Sequence, residues 1–326
     1  MIDIFNPVKS VIADGLEGKM LLIYGSNSLG KTYQACRLPS PFVIATEYGL
    51  NGVAGIPFAN ITKWSDFCSV VSQFENPKAK EVYKTIIIDE VYASALYCQD
   101  YICNNIGNGA MTLSDAPDTK HNLYQAYEKE YFKQINKLAS LGFTIVFIAH
   151  EQSDSKTGFI TPKGDKRSIN PIIDKCDYTI YLTSNGIDSE GKVIKSSAYL
   201  AATNQFFARS RFTDTPTYIK EFTAENLTAA IQKGVDAERA KNPNSVVSFA
   251  EQQEQKESTE TKLDFETLIK EFNTLAAALV EKDEKKYPPL IVQTTEKYLG
   301  VGAKVNNCNA NQVEAISLIL NDLKQL

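Results

Sequence analysis

The sequence predicts an α/β fold, a mainly parallel sheet flanked by helices, with a small helical appendage at its C-terminal end. Two observations carry that expectation. Short apolar runs at residues 20–24, 41–47, 84–90 and 143–149 alternate with longer stretches whose apolar residues recur every three or four positions. Such short runs read as strands buried on both faces, and strands alternating with helices close into a parallel sheet. The second observation lies just after the first run. Gly25-Ser26-Asn27-Ser28-Leu29-Gly30-Lys31-Thr32 fits G-x-x-x-x-G-K-[ST], a phosphate-binding loop set between a strand and a helix.

The elements follow in order. Residues 1–19 form a lead-in. Met20-Leu21-Leu22-Ile23-Tyr24 is the first strand, and Tyr33 to Arg37 can continue the loop as a helix. Pro41 to Ala45 is a second strand that ends at Thr46 and Glu47. Trp64, Phe67, Val70, Val71 and Phe74 then mark one face of a helix. Lys84 to Asp89 is a β-branched strand ending in Asp89 and Glu90. A helical stretch carries Leu96, Tyr97 and Tyr101. Residues 105–120 are polar and glycine-rich, which predicts a mobile loop. From 123 to 141 a helix presents Tyr124, Tyr127, Tyr131, Ile135 and Leu138. Residues 143–149 are another buried strand with His150 and Glu151 at its tip.

Beyond that strand the character changes. Residues 151–167 read as a long loop or hairpin. Residues 178–182 and 196–201 read as strands joined through Asn185-Gly186 and Glu190-Gly191 turns. Residues 239–262 are charged and Gln-rich, which predicts a linker. Helical periodicity resumes at 264–326, broken by Pro288-Pro289 and by Gly300-Val301-Gly302. The expected domains are therefore 1–238, a linker at 239–262, and a helical domain at 263–326.

Chemistry concentrates at the strand ends. The loop glycines let backbone N–H groups close around a phosphate. Lys31 would reach the β- and γ-phosphates. The Thr32 hydroxyl and the Asp89 carboxylate are hard oxygen donors suited to Mg²⁺. Glu90 and Glu47 each offer a carboxylate that could orient the attacking water, and the residues alone leave both open. His150 can touch the γ-phosphate from its strand tip. Arg209 and Arg211, two residues apart on an extended segment, would point to one side, towards a phosphate. Lys156, Lys163, Lys166 and Arg167 cluster after His150, with Phe159 as a stacking group for a single-stranded nucleic acid.

Together, the carboxylate at Glu47, the polar tip at His150 and the R-x-R pair resemble the RecA-like ATPase core. The closer resemblance is to the small, phage-encoded, core-only RecA-like recombination ATPases and single-strand annealing proteins, over about residues 15–235. That resemblance implies a P-loop NTPase of RecA-like type that hydrolyses ATP with Mg²⁺. It implies Glu47 as the water-activating base, His150 as the γ-phosphate sensor, and Arg209 and Arg211 acting from a neighbouring subunit. Its further implications are single-stranded DNA as partner, a homo-oligomeric ring or filament, and association with a single-strand-binding protein or nuclease. The adjacent Asp89-Glu90 pair is AAA-like and keeps a second expectation open: an ATPase that remodels or loads a protein partner without touching DNA.

Composition sets the background. The chain has 326 residues, 43% of them hydrophobic, enough for a sizeable core. No apolar run is long enough to span a membrane, and residues 1–5 carry no secretory signal pattern. Six cysteines without a C-x-x-C pair, and only two histidines, argue against a zinc site and for reduced thiols. The expected location is the cytoplasm, that of a bacterial host if the chain is phage-encoded. A formal charge of −5 gives no global attraction to nucleic acid, so any such site must be local.

Overall fold

The computed structural model describes residues 7–47, 49–115, 122–259 and 264–326. The chain forms a large unit, Lys9–Gln255, and a smaller one that takes in Lys256–Leu326.

The large unit opens with β1 (Ile12–Ala13), β2 (Met20–Tyr24), the glycine loop and a short α1 (Lys31–Ala35). Next come β3 (Pro41–Ala45), β4 (Phe58–Asn60), α2 (Trp64–Gln73) and α3 (Lys78–Val82). The middle of the unit holds β5 (Thr85–Asp89), α4 (Val91–Asn105), α5 (Leu123–Ser140) and β6 (Thr144–Ala149). A hairpin of β7 (Glu151–Ser153) and β8 (Ile160–Pro162) leads into α6 (Lys166–Lys175) and β9 (Tyr178–Thr183). After these come β10 (Ser197–Tyr199), β11 (Arg209–Ser210), β12 (Tyr218–Ile219), α7 (Ala224–Lys241), β13 (Val246–Val247) and α8 (Phe249–Thr259). The smaller unit contains α9 (Phe265–Lys282), α10 (Tyr287–Leu299) and α11 (Val313–Leu323).

The main sheet runs β12-β10-β9-β2-β6-β5-β3-β4, with β11 also on β9. From β9 to β4 every neighbouring pair is parallel, and β10, β11 and β12 add antiparallel edges. Strand alternation divides the core between two faces. Leu22, Tyr24, Ile44, Ile86, Ile88, Ile145 and Phe147 pack against the side carrying α2, α4, α5 and α6. Leu21, Ile23, Val43, Ile87, Val146, Ile148 and Ile180 face the side of α1 and α7. This is the layered α/β architecture expected from the alternating pattern.

Register fixes the site. Tyr24 pairs with Ala149, Asp89 with Ile148, and Ala45 with Asp89. The strands therefore end level, and Gly25, Thr46, Glu90 and His150 emerge from one carboxyl edge. Ligands of open parallel sheets bind at this edge.

The structure sharpens three sequence expectations. Residues 151–167 are a hairpin that passes directly into α6, so Lys166 and Arg167 are helical. Pro288 and Pro289 mark the break between α9 and α10, as expected, and stand in the first turn of α10, where proline costs nothing. The expected linker is folded as far as it belongs to the large unit. Lys241 closes α7, Val246–Val247 pairs with Ile12–Ala13, and the Phe249 ring lies against Gly18 and Gly142. A Cβ on Gly18 would sit 2.1 Å from that ring. One aromatic anchor and two valines hold a segment whose polar composition hides them. Residues 116–120 of the expected mobile loop and 260–262 of the expected linker lie outside the described residues.

Candidate active site

The loop from Gly25 to Thr32 turns sharply after β2. Gly25 has φ 153°, and a Cβ there would lie 2.7 Å from the Leu182 carbonyl oxygen of β9. Only glycine lets the loop approach the neighbouring strand so closely. Gly30 adopts φ 81° and starts α1. Lys31 is buried, and its Nζ donates to the carbonyl oxygens of Gly25 (2.9 Å) and Ser26 (2.6 Å). Burial pulls its ammonium below the usual lysine range, with Asp89 the main opposing charge. Such a cation gains by finding phosphate oxygens.

Thr32 Oγ1 donates to Asp89 Oδ2 at 2.8 Å. Asp89 is buried at the end of β5, and desolvation raises its carboxyl above the usual range against the Thr32 hydrogen bond. A buried carboxylate beside a hydroxyl is a fitting pair of ligands for Mg²⁺. The turn at Gly49–Gly52 lies over them: a Cβ on Gly49 would be 2.8 Å from Asp89 Oδ2 and 3.8 Å from Thr32 Oγ1. A side chain at position 49 would crowd the pair.

A second cluster stands beside it. His150 Nε2 lies 3.6 Å from Glu47 Oε2 and 3.8 Å from Glu90 Oε2. Glu47 is 43% exposed, whereas Glu90 is 2% exposed and its Oε2 makes no hydrogen bond. Burial first, and the Glu47 charge second, push the Glu90 carboxyl up to about 7. Thr46, which sequence reasoning passed over, holds Glu90 by its backbone. Thr46 Oγ1 accepts from the Glu90 N–H (2.7 Å) and donates to the Glu90 carbonyl (2.9 Å). Its position between an apolar strand and Glu47 is the one sequence signal that could have found it.

Ser26, Asn27, Glu47, His150, Glu151, Gln152 and Lys163 line a cleft of about 620 Å³. Ser26 Oγ donates to Glu151 Oε1 at 2.7 Å, tying the glycine loop to β7. The structure therefore gathers the loop, Lys31, Thr32, Asp89, Glu47, Glu90 and His150 at one edge.

It separates the remaining expected residues. Arg209 and Arg211 lie at the N-terminal end of β9, away from the glycine loop, since Arg209 pairs with Thr179 and Ser210 with Tyr178. Arg209 Nη2 donates to the carbonyls of Asp174 and Cys176, both at 3.4 Å. Arg211 Nη2 donates to Asp174 and Lys175 carbonyls, and its Nε lies 3.9 Å from Asp177. Their donors satisfy the last carbonyls of α6, a common task for arginine. The expected nucleic-acid cluster also divides. Phe159 and Lys166 line a hollow of about 570 Å³, and Lys156 sits in the hairpin turn whose backbone Asp154 holds. Arg167 lies over the Tyr124 ring near Glu128, and Lys163 faces the cleft of Glu47 and His150.

Among the described residues no helix is long and apolar enough to cross a membrane, and no cysteine is in a disulfide. Two similarities to known proteins accord with the site. The chain is 45% identical to the SPbeta prophage-derived uncharacterized protein YorG of Bacillus subtilis (strain 168), across 100% of this chain and 98% of that one. Residues 17–212 match the protein family described as AAA domain, a span that begins just before β2 and closes just after β11. With the glycine loop, the Thr32–Asp89 pair and the parallel sheet inside that span, the chain belongs to this AAA-domain family of P-loop ATPases.

Proposed function

We propose that the protein binds and hydrolyses ATP with Mg²⁺ at the carboxyl edge of its sheet. The single observation that carries the reading is the Thr32–Asp89 hydrogen bond, 2.8 Å, beside a buried Lys31 held by its own loop. Phosphoryl transfer depends on positioning and on neutralising charge, and each part has a residue here. Backbone N–H groups of the loop cradle the β-phosphate. Lys31 exchanges two carbonyls for phosphate oxygens. Mg²⁺ held by Thr32 and Asp89 would neutralise charge on the phosphates.

Glu47 faces the cleft and orients the attacking water. Glu90, buried behind it with a raised pKa, fixes His150 and keeps the local charge of the paired carboxyls low. His150 reports the γ-phosphate and passes its position into the β7–β8 hairpin through the contiguous backbone. The finer reading is that this hairpin contacts single-stranded DNA in phage recombination or strand annealing. Phe159 beside Lys166, and a prophage-derived relative, support it. The alternative, a protein remodeller, draws support from the division of the basic cluster.

Lys31→Ala tests the reading. The variant is expected to keep its fold by circular dichroism and to lose nucleotide affinity by about 100-fold or more. Wild-type binding and turnover in a folded Lys31→Ala protein would overturn the assignment. Single-stranded DNA that leaves hydrolysis unchanged and binds no more tightly with ATP than with ADP would remove the DNA reading alone.

A further inference from the structure

We propose that Lys163 supplies, from within the same chain, a second cation to the terminal phosphate of the bound nucleotide. The proposal rests on the reading of the cleft as the nucleotide site. Lys163 lines that cleft opposite Ser26 and Asn27, together with Glu47 and His150.

Its backbone is fixed on both sides. The Lys163 N–H donates to the His150 carbonyl at 2.8 Å, which ties it to the strand tip that faces the phosphate. Gly164 follows, and a Cβ there would be 2.9 Å from Ile169 Cβ, so the chain is pressed onto α6. Asp165 then caps α6 and accepts from Tyr127 Oη (3.1 Å), Gln99 Nε2 (3.3 Å) and Ser168 Oγ (2.9 Å). The Lys163 Nζ lies 4.7 Å from the centre of the Tyr92 ring, at the start of α4. The tied backbone and the Tyr92 ring hold the charge beside the cleft.

The charge is also free to act. Among the described residues Lys163 makes no ion pair, while the edge carries Glu47, Glu90, Glu151 and Asp89. Lys31 opposes those carboxylates, and Lys163 itself acts on Glu90. Arg209 and Arg211 are engaged with α6 at the other end of β9. A triphosphate entering this edge needs another cation near its terminal group, and Lys163 is placed to be it. An ammonium binds phosphate as a point charge and gains most where negative charge grows in the transition state. Hydrolysis then has its second cation without a neighbouring subunit.

The test uses full-length protein with Lys163→Met and Lys163→Arg, each checked for an unchanged melting temperature. Equilibrium binding is measured for ADP and for a non-hydrolysable ATP analogue, and hydrolysis under single-turnover conditions. Lys163→Met is expected to bind ADP within about twofold of wild type, to bind the analogue roughly 10-fold more weakly, and to hydrolyse roughly 100-fold more slowly. Lys163→Arg should recover part of both losses. Equal weakening of ADP and the analogue would overturn the proposal, since a structural role moves both. Unchanged binding and hydrolysis would also overturn it, while loss of both nucleotides in Lys31→Ala would leave the nucleotide-site reading standing. Wild-type protein that binds neither nucleotide would overturn that reading and this proposal with it.

Discussion

Glu47 and Glu90 approach the same histidine from different environments, and the roles proposed for them differ accordingly. Glu47 is open to the cleft and can hold a water. Glu90 is enclosed, with one oxygen unpartnered and its carboxyl pushed up to about 7 by burial and by Glu47. Glu47→Gln should keep nucleotide affinity and lose roughly 100- to 1,000-fold in single-turnover hydrolysis, the scale of a missing general base. Glu90→Gln should lose much less, because glutamine resembles the protonated acid. Full hydrolysis in Glu47→Gln would sink the assignment of the base. The Glu90 shift also has a stability signature. Its folded pKa lies above the unfolded 4.5, so between pH 4.5 and 7 the folded state holds a proton that the unfolded state has released. Stability from this group is full below about pH 4.5 and is lost as pH rises through 7, by about 3 kcal/mol. Glu90→Gln lacks that loss. Its melting temperature relative to wild type should therefore be higher at pH 8 than at pH 5. An offset that does not change with pH would contradict the buried, proton-holding Glu90.

At the scale of elements, what could be read in the sequence was what lies close along the chain. The loop from Gly25 to Thr32 and the strand ending at Asp89 are each a contiguous motif, so each could be recognised by itself, although Thr32 and Asp89 lie 57 residues apart. Glu47 and His150 were legible because each directly follows an apolar run, and strands of a parallel sheet end together. Arg209 and Arg211 were not legible in the same way. Their spacing gave a shared direction, but the pairing of β11 with β9 decides what they face, and that register joins residues about thirty apart. Along the chain Lys163 belongs to a basic patch, and only the fold ties its backbone to His150. These placements make a prediction for α6. Arg211→Ala should destabilise the protein by about 1 kcal/mol through unsatisfied helix carbonyls, and Arg209→Ala by a similar amount. Neither should change hydrolysis per active site as protein concentration is varied. A normal melting temperature in either variant, with hydrolysis lost only in assembled protein, would instead support the role across a subunit interface.

For the whole molecule, the question is where the ATPase ends. Composition places the break at residue 239, where charged and Gln-rich sequence begins, but contacts place it between Gln255 and Lys256. The difference is physical. The lead-in strand β1 has a single partner in its sheet, β13, and Lys19 reaches across to the Ala13 carbonyl at 2.7 Å. Gln252 Nε2 donates to the Val11 carbonyl at 2.8 Å, and Phe249 covers Gly18 and Gly142 at the entry to β2 and β6. Those two strands carry the glycine loop and His150, so the segment after 239 braces the site from the far end of its strands. A protein ending at residue 259 should keep its nucleotide affinity within about twofold and melt cooperatively. A protein ending at 238 loses the last turn of α7, β13 and Phe249. At about 2 to 3 kcal/mol for a half-buried aromatic and its neighbours, it should melt about 5–10 °C lower. Phe249→Ala in the full chain is the milder form of the same change and should lower the transition by about half as much. If the protein ending at 238 melts and binds nucleotide like the one ending at 259, residues 239–255 are only a tether, and the boundary read from composition stands.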